Sequence, residues 1–196
     1  MEYRTQLILP VTDNGAIVTA PKRFPWPTVG GYDFYEVLSA LQKSTRRGME
    51  REALFWATEL YLSDYAPHAW GRLRIIASED IGVADSNVAV QVRALYDNWQ
   101  DRKPKKGTPP LDEEDTWLYF VHAVLILVRA PHSRIVDNAV AYFKRNRAVL
   151  EIPDWALDKH TARGRAMGRG EEHFRTEGAK LENRSPLPDP HEEASE

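Results

Sequence analysis

The sequence contains no cysteine. A disulfide framework, a thiolate zinc site and a cysteine nucleophile are therefore all excluded, and the fold must be held by its own core. It also lacks an apolar run of the roughly 18 to 20 residues that a bilayer span requires. The longest such run, residues 120–128, includes His122 and stops at Arg129. The first residues, Met1-Glu2-Tyr3-Arg4, have neither the basic stretch nor the apolar segment of a secretory signal, so the cytoplasm is the expected compartment and no membrane partner is expected. No G-x-x-x-x-G-K-[ST] phosphate loop, G-x-S-x-G nucleophile turn, or H-x-x-x-H or H-E-x-x-H metal spacing occurs, which removes the usual signatures of nucleotide hydrolysis, acyl transfer and zinc proteolysis. The net charge is only -3, without the overall basic footprint of a dedicated nucleic-acid binder.

With 196 residues and 42% apolar side chains, the chain has material for one well-packed domain, since a chain of this size buries roughly 70% of its unfolded surface. The charge is uneven. Residues 186–196 hold Asp189, Glu192, Glu193 and Glu196 and no Lys or Arg, so residues 185–196 are expected to form a disordered acidic tail behind a near-neutral body.

Residues 1–31 read as an extended arm. Two short β-prone runs, 5–9 and 16–19, flank Asn14-Gly15, the strongest short-range hairpin signal, with Pro10 confining the first strand to an edge. An isolated hairpin is marginal in water, so the arm is expected to lie on the body or on a partner, anchored by Phe24 and Trp26. From residue 33 the apolar spacing turns helical: Phe34, Val37, Leu38 and Leu41 follow i, i+3, i+4, i+7, with Asp33 as N-cap and Glu36 as its capping partner. Gly48 ends that helix. A second is expected over about 49–63 with Ala53, Trp56, Ala57 and Leu60 on one face, a third from Pro67 to about 80, and a fourth over 87–100. Residues 101–111, rich in Lys, Pro and Gly, read as a mobile basic loop. Asp112, Glu113, Glu114 and Asp115 then open a fifth helix at the positive end of its dipole; apolar nearly all round, it is expected to be the central one. A sixth spans about 133–148, and shorter pieces follow Pro153. The expected fold is all-α, a compact helical bundle over residues 32–184 carrying an N-terminal β-hairpin arm.

Between residues 33 and 85 the chain carries a distinctive string: Leu38-Ser39-Ala40-Leu41-x-Lys43-Ser44-x-Arg46, then Ala53-Leu54-x-Trp56-Ala57, then Arg72-Leu73 followed by Ala77-Ser78-Glu79-Asp80-Ile81-Gly82-x-Ala84-Asp85. Farther on stands Ala130-Pro131-His132-Ser133, similar to an A-P-K-S element with His132 in place of the lysine. This pattern resembles the C-terminal region of the RarA/MgsA family of replication-associated AAA+ ATPases over roughly residues 32–170. The resemblance implies a helical domain related to clamp-loader collars, which mediates oligomerisation beside an ATPase motor at stalled replication forks. With no phosphate loop in the sequence, and with the stretch before Asp33 too short for an ATPase module, ATP hydrolysis is not expected to carry over.

Four constellations bear chemistry. Glu79-Asp80 falls at a helix C-terminus, where the dipole disfavours negative charge, so an ion-pair network with Lys43, Arg46, Arg72 or Arg74 is expected in preference to acid-base or metal chemistry. Residues 158–170 combine Lys159, His160, Arg163, Arg165 and Arg169 with three glycines. Such a segment can approach a phosphate closely and grip it through guanidinium forks, or it can fasten itself to neighbouring acids. Asp158, His160, Glu172 and His173 have metal-ligand chemistry but no diagnostic spacing. Trp70 and Trp99, the latter beside Arg102 and Lys103, are the tryptophans that invite a base-stacking reading against the core positions expected for Trp56 and Trp117.

The function expected from the sequence is a non-catalytic assembly or accessory module in DNA replication or repair, without cofactor, partnered by copies of itself or by a replication or repair protein. The alternative is direct nucleic-acid binding through Lys103, Lys105, Lys106, Lys159, His160, Arg163, Arg165 and Arg169, and a more distant one is a metal-dependent hydrolase.

Overall fold

Asp33 starts the first helix: its Oδ1 accepts the amide protons of Tyr35 (2.8 Å) and Glu36 (3.0 Å), satisfying two of the amides a helix start leaves without partners. The computed structural model describes residues 27–102, 113–188 and 191. The expected hairpin and its anchors Phe24 and Trp26, the basic loop from residue 103 onward and most of the acidic tail lie outside the described residues. Among those described there are helices and turns and no strand. The chain divides into two units, Met1–Asn146 and Arg147–Glu196.

In the first unit, α1 (Phe34–Arg46) buries Phe34, Val37, Leu38 and Leu41, the positions its periodicity marks. It closes where the amides of Gly48 and Met49 bond the carbonyls of Thr45 and Ser44. After that tight turn α2 (Glu50–Leu62) packs back on α1, with Ala53, Ala57 and Leu60 fully buried; alanines one turn apart let two backbones approach closely. Helix α3 (Ala66–Ile76) begins with a proline in its first turn, where the missing amide costs nothing. It then changes register into a π-helical turn, Ala77–Ile81, and a 3-10 turn, Gly82–Ala84. Helix α4 (Val88–Asp101) buries Val88, Val92, Leu95 and Trp99. Helix α5 (Glu113–Arg129) contacts all four earlier helices.

Trp70 and Phe120, both with no exposed surface, hold the centre of the core with Trp99. The ring centroids of Trp99 and Phe120 lie 5.7 and 5.5 Å from that of Trp70, within the range of favourable aromatic pairs. Trp70 and Trp99 are thus core residues and not stacking platforms for bases. Trp56 and Trp117 are partly buried. Helix α5 is not buried all round as its composition suggests: Phe120, Ala123, Val124, Leu127 and Val128 face inward while Leu118 is 63% exposed. Four neighbours on one side cannot enclose a helix, and hydropathy alone does not tell which side they take.

Helix α6 (Ile135–Arg145) packs on the π-helical turn and the 3-10 turn after it. Gly82 sits at the contact with φ +53°, and a Cβ there would meet Val136 at 2.6 Å, so both backbone conformation and space call for glycine. None of the residues of α6 is buried.

The second unit is small and turn-rich. A 3-10 turn (Asp154–Ala156) leads to α7 (Ala162–Ala166), capped by Thr161, then α8 (Glu171–His173) and a π-helical turn (Phe174–Gly178). Among the described residues of this unit, Leu157 is the large apolar side chain that is buried. Gly164 is buried because a Cβ would fall 1.9 Å from the carbonyl oxygen of Asp158. Among the described residues no helix is long and apolar enough to cross a membrane.

Candidate functional site

The π-helical turn delivers Glu79 and Asp80 into a network that joins four segments of the first unit. Asp80 has a fully buried side chain, whereas Glu79 is 27% exposed. Oδ1 of Asp80 accepts from Arg46 Nε (2.5 Å) and Arg134 Nη1 (3.2 Å); Oδ2 accepts from Gln42 Nε2 (3.2 Å) and Arg46 Nη2 (3.4 Å). Glu79 Oε1 accepts from Arg46 Nη2 and Arg134 Nη1, each at 3.1 Å. Arg72 joins through Gln42, whose Oε1 takes its Nη1 proton at 3.0 Å, and Asp137 pairs with Arg134. An ionised carboxylate offers about four lone-pair sites. All four of Asp80 are occupied, so this carboxylate has no capacity left to act as a base or to ligate a metal.

The cations overlap in part with those the sequence singles out. Arg46 is at the centre and Arg72 acts at one remove. Arg74 instead lies over the Tyr96 ring, 4.5 Å from its centroid, and Lys43 is exposed. Gln42 and Arg134 complete the network. The signal for Arg134 was the Ala130-Pro131-x-Ser133 element immediately before it: the Ser133 amide donates to the Asp80 carbonyl at 2.8 Å, which brings the arginine to the carboxylates.

In the segment 158–170 most of the basic side chains are engaged by groups of the same unit. Arg169 donates from Nη1 to the carbonyls of Asp154 (2.7 Å) and Leu157 (3.0 Å) and pairs with the Asp154 carboxylate. Arg165 donates to the carbonyls of Lys159 and His160, both at 3.1 Å. Lys159 pairs with Glu171 and lies over the Phe174 ring. His160 Nδ1 is 2.9 Å from Asp158 Oδ2. Hydrogen bonding from His160 holds the Asp158 carboxyl below its ordinary range, as Arg169 does for Asp154 and Lys159 for Glu171. Arg163 is exposed. Lys103, Lys105 and Lys106 lie outside the described residues. Of the four residues with metal-ligand chemistry, Asp158 and His160 are engaged with each other, and His173 Nε2 stands 3.7 Å from Asp154. Among the described residues no three such groups converge as a metal site needs.

Between α1, α3 and α6 runs an open groove of about 1000 Å³, floored by Phe34, Leu38, Ile75, Val136 and Val140 and edged by His68, Arg72, Arg74, Glu79 and Asp137. Periodicity reveals apolar faces but not which remain uncovered, and this one requires the packing angle of α6.

No protein-family profile matches the chain. Comparison with curated proteins finds replication-associated recombination protein A of Escherichia coli strain K12, 30% identical over 150 residues and covering 73% of this chain. The protein of the same name from Haemophilus influenzae is 28% identical over 131 residues, 66% of this chain. The chain spans about a third of the length of the curated relatives it matches. It is homologous to part of these RarA/MgsA proteins.

Proposed function

From that kinship we propose that the chain is a non-catalytic assembly or accessory module in DNA replication or repair, working in the cytoplasm with copies of itself or with a replication or repair protein. The observation that carries this reading is the 30% identity to replication-associated recombination protein A across 73% of the chain. The saturated Asp80 carboxylate supports it, because the residues most characteristic of the resemblance are used to fix helix packing. ATP binding and hydrolysis are not part of the proposed role, for the sequence has no lysine and amide cradle to hold the phosphates.

Light scattering on the purified chain, alone and mixed with a replication-associated recombination ATPase, tests this reading. A mass above 22.4 kDa in either sample is expected; a monomer in both sinks it. Thermal stabilisation by millimolar ATP would contradict the non-catalytic part.

A second reading, direct nucleic-acid binding, is favoured by one observation, the exposure of Arg163 in a glycine-rich segment. It requires DNA affinity that falls steeply with salt, since each phosphate contact releases counterions.

A further inference from the structure

The groove between α1, α3 and α6 leaves apolar side chains uncovered: Tyr35, Ile75 and Val140 line it and are 65, 47 and 56% exposed. Concave apolar surface of this kind marks a binding site. One end of it is aromatic, where the Phe34 ring centroid lies 5.1 Å from that of Tyr35 and 5.4 Å from that of His68. The turn that precedes α1 leads the chain to this end. The amides of Val29 and Gly30 donate to Ser63 Oγ (3.0 Å) and Glu59 Oε1 (2.6 Å) of α2, which holds the turn in place. Within it the Thr28 amide donates to the Tyr32 carbonyl at 3.0 Å, and the Tyr32 amide to Thr28 Oγ1 at 3.1 Å. Thr28 and Tyr32 are thus side by side, and Pro27 stands next to the start of α1, whose Phe34 and Tyr35 form the aromatic end of the groove.

Immediately before this turn the sequence reads Phe24-Pro25-Trp26-Pro27. Each aromatic precedes a proline, which restricts it to extended conformations, and side chains two apart on an extended chain share a face about 6.6 Å apart. Phe34 and Leu38, on the groove floor, are one helical turn apart, about 5.4 Å. Proline-rich segments lose little conformational entropy on docking and are suited to aromatic-lined grooves. Three extended residues span about 10 Å, enough to carry Trp26 to Tyr35 and His68 and Phe24 on toward Leu38 and Ile75. A second apolar surface lies within the same reach: Phe55 on α2 is 49% exposed, its ring centroid 6.5 Å from that of Tyr32. It is the flank of a single helix, however, and a flank covers one side of an incoming ring where a groove covers two. We propose that residues 24–26 occupy the groove of their own molecule, Trp26 at its aromatic end and Phe24 against Ile75. The proposal concerns the chain by itself and does not depend on the assembly reading. Any partner that takes this surface must first displace the segment.

Since the sequence has no cysteine, pairs of introduced thiols report the placement in the full chain. Phe24→Cys/Ile75→Cys puts the second thiol in the groove, and Phe24→Cys/Phe55→Cys puts it on the flank of α2. Ile75 and Phe55 are exposed to nearly the same extent, so accessibility does not favour either pair. Under mild oxidation of dilute protein the groove pair is expected to close a disulfide within one molecule on the order of tenfold faster than the α2 pair, because docking raises the effective concentration of one thiol at the other. Equal rates, or a faster α2 pair, overturn the proposal. So does a disulfide that forms between molecules at a rate rising with protein concentration, which would mean that a second copy covers the groove. A variant without cysteine, Phe24→Ala/Trp26→Ala, gives an independent reading. With both anchors removed the groove opens, and fluorescence of the apolar dye ANS should rise while the helical circular dichroism stays unchanged. Dye fluorescence equal to that of the unaltered chain overturns the proposal.

Discussion

Arg46 and Asp80, 34 positions apart in sequence, meet with Nε and Oδ1 at 2.5 Å, the arginine 31% exposed and the aspartate fully buried. The asymmetry sets what each contributes. The buried partner gathers four donors from two segments, so removing it takes the shared acceptor from two guanidinium groups and an amide, whereas the exposed partner can be replaced in part by water. Asp80→Ala should therefore cost about 3 kcal/mol, near the range for breaking a buried pair. Glu79→Gln, at a water-accessible site, should cost less than about 1 kcal/mol. Urea denaturation of both variants checks the ordering, and equal losses would mean that burial does not set the energy here.

Gly82 and Val136 form the second fixed point of α6. Gly82→Ala places a Cβ 2.6 Å from Val136 at φ +53°, a clash added to a disfavoured backbone conformation, with a combined cost of about 2 to 4 kcal/mol. Adding Val136→Ala relieves the clash and leaves the backbone cost. The double variant should thus recover about half the loss despite removing an apolar side chain. A double variant less stable than Gly82→Ala alone would show that the contact is not limiting.

These two sites show where the sequence was legible and where it stopped. The start of α1 and its buried face could be read because a cap and an i, i+3, i+4, i+7 pattern are local, and the same holds for α2 and α4. The register change after Ile76 could not: the apolar pattern continues through it, and only the hydrogen-bond spacing differs. Arg46 was legible as a partner of Glu79-Asp80 through the family string, but Arg134 lies 54 residues beyond Asp80 and reaches it only because α6 folds back. In the segment 158–170 the sequence displays charges and is silent on backbone carbonyls, so arginines that fasten turns look the same as arginines that await a phosphate.

The second unit should be sensitive to acid. Hydrogen bonds from Arg169, His160 and Lys159 lower the carboxyl pKa values of Asp154, Asp158 and Glu171 from ordinary values of 3.8, 3.8 and 4.5. The folded state therefore binds these protons less readily than the unfolded chain. The resulting stabilisation is complete above the ordinary values and is lost as pH falls through the lower, folded ones. Amide-exchange protection at Gly164 and Arg169 should decline as pH falls below the ordinary values of 3.8 to 4.5 and through the lower, folded ones, and Asp154→Asn should flatten part of that decline. Protection constant over this window would remove these pairs as determinants of the unit's stability.

The arginines of the same unit separate its two readings. Arg169 holds two carbonyls and a carboxylate with its side chain only 16% exposed, so Arg169→Gln withdraws charge-assisted bonds from a unit with little apolar core to compensate. It should lower the melting temperature of the second unit by more than about 4 °C, the shift that roughly 1 kcal/mol produces in a small domain. Arg165→Gln removes two carbonyl contacts and should do the same to a smaller degree. Arg163 is exposed, and Arg163→Gln should leave the melt unchanged. If the segment also holds nucleic acid, Arg163→Gln must weaken DNA binding and reduce the slope of log affinity against log salt by about one contact. If the arginines serve only to fasten the turns, Arg163→Gln is silent in both measurements, and any change in DNA affinity on Arg169→Gln will follow the loss of folding. Reduced DNA affinity in a fully stable Arg163→Gln protein would favour the nucleic-acid reading over an assembly role alone.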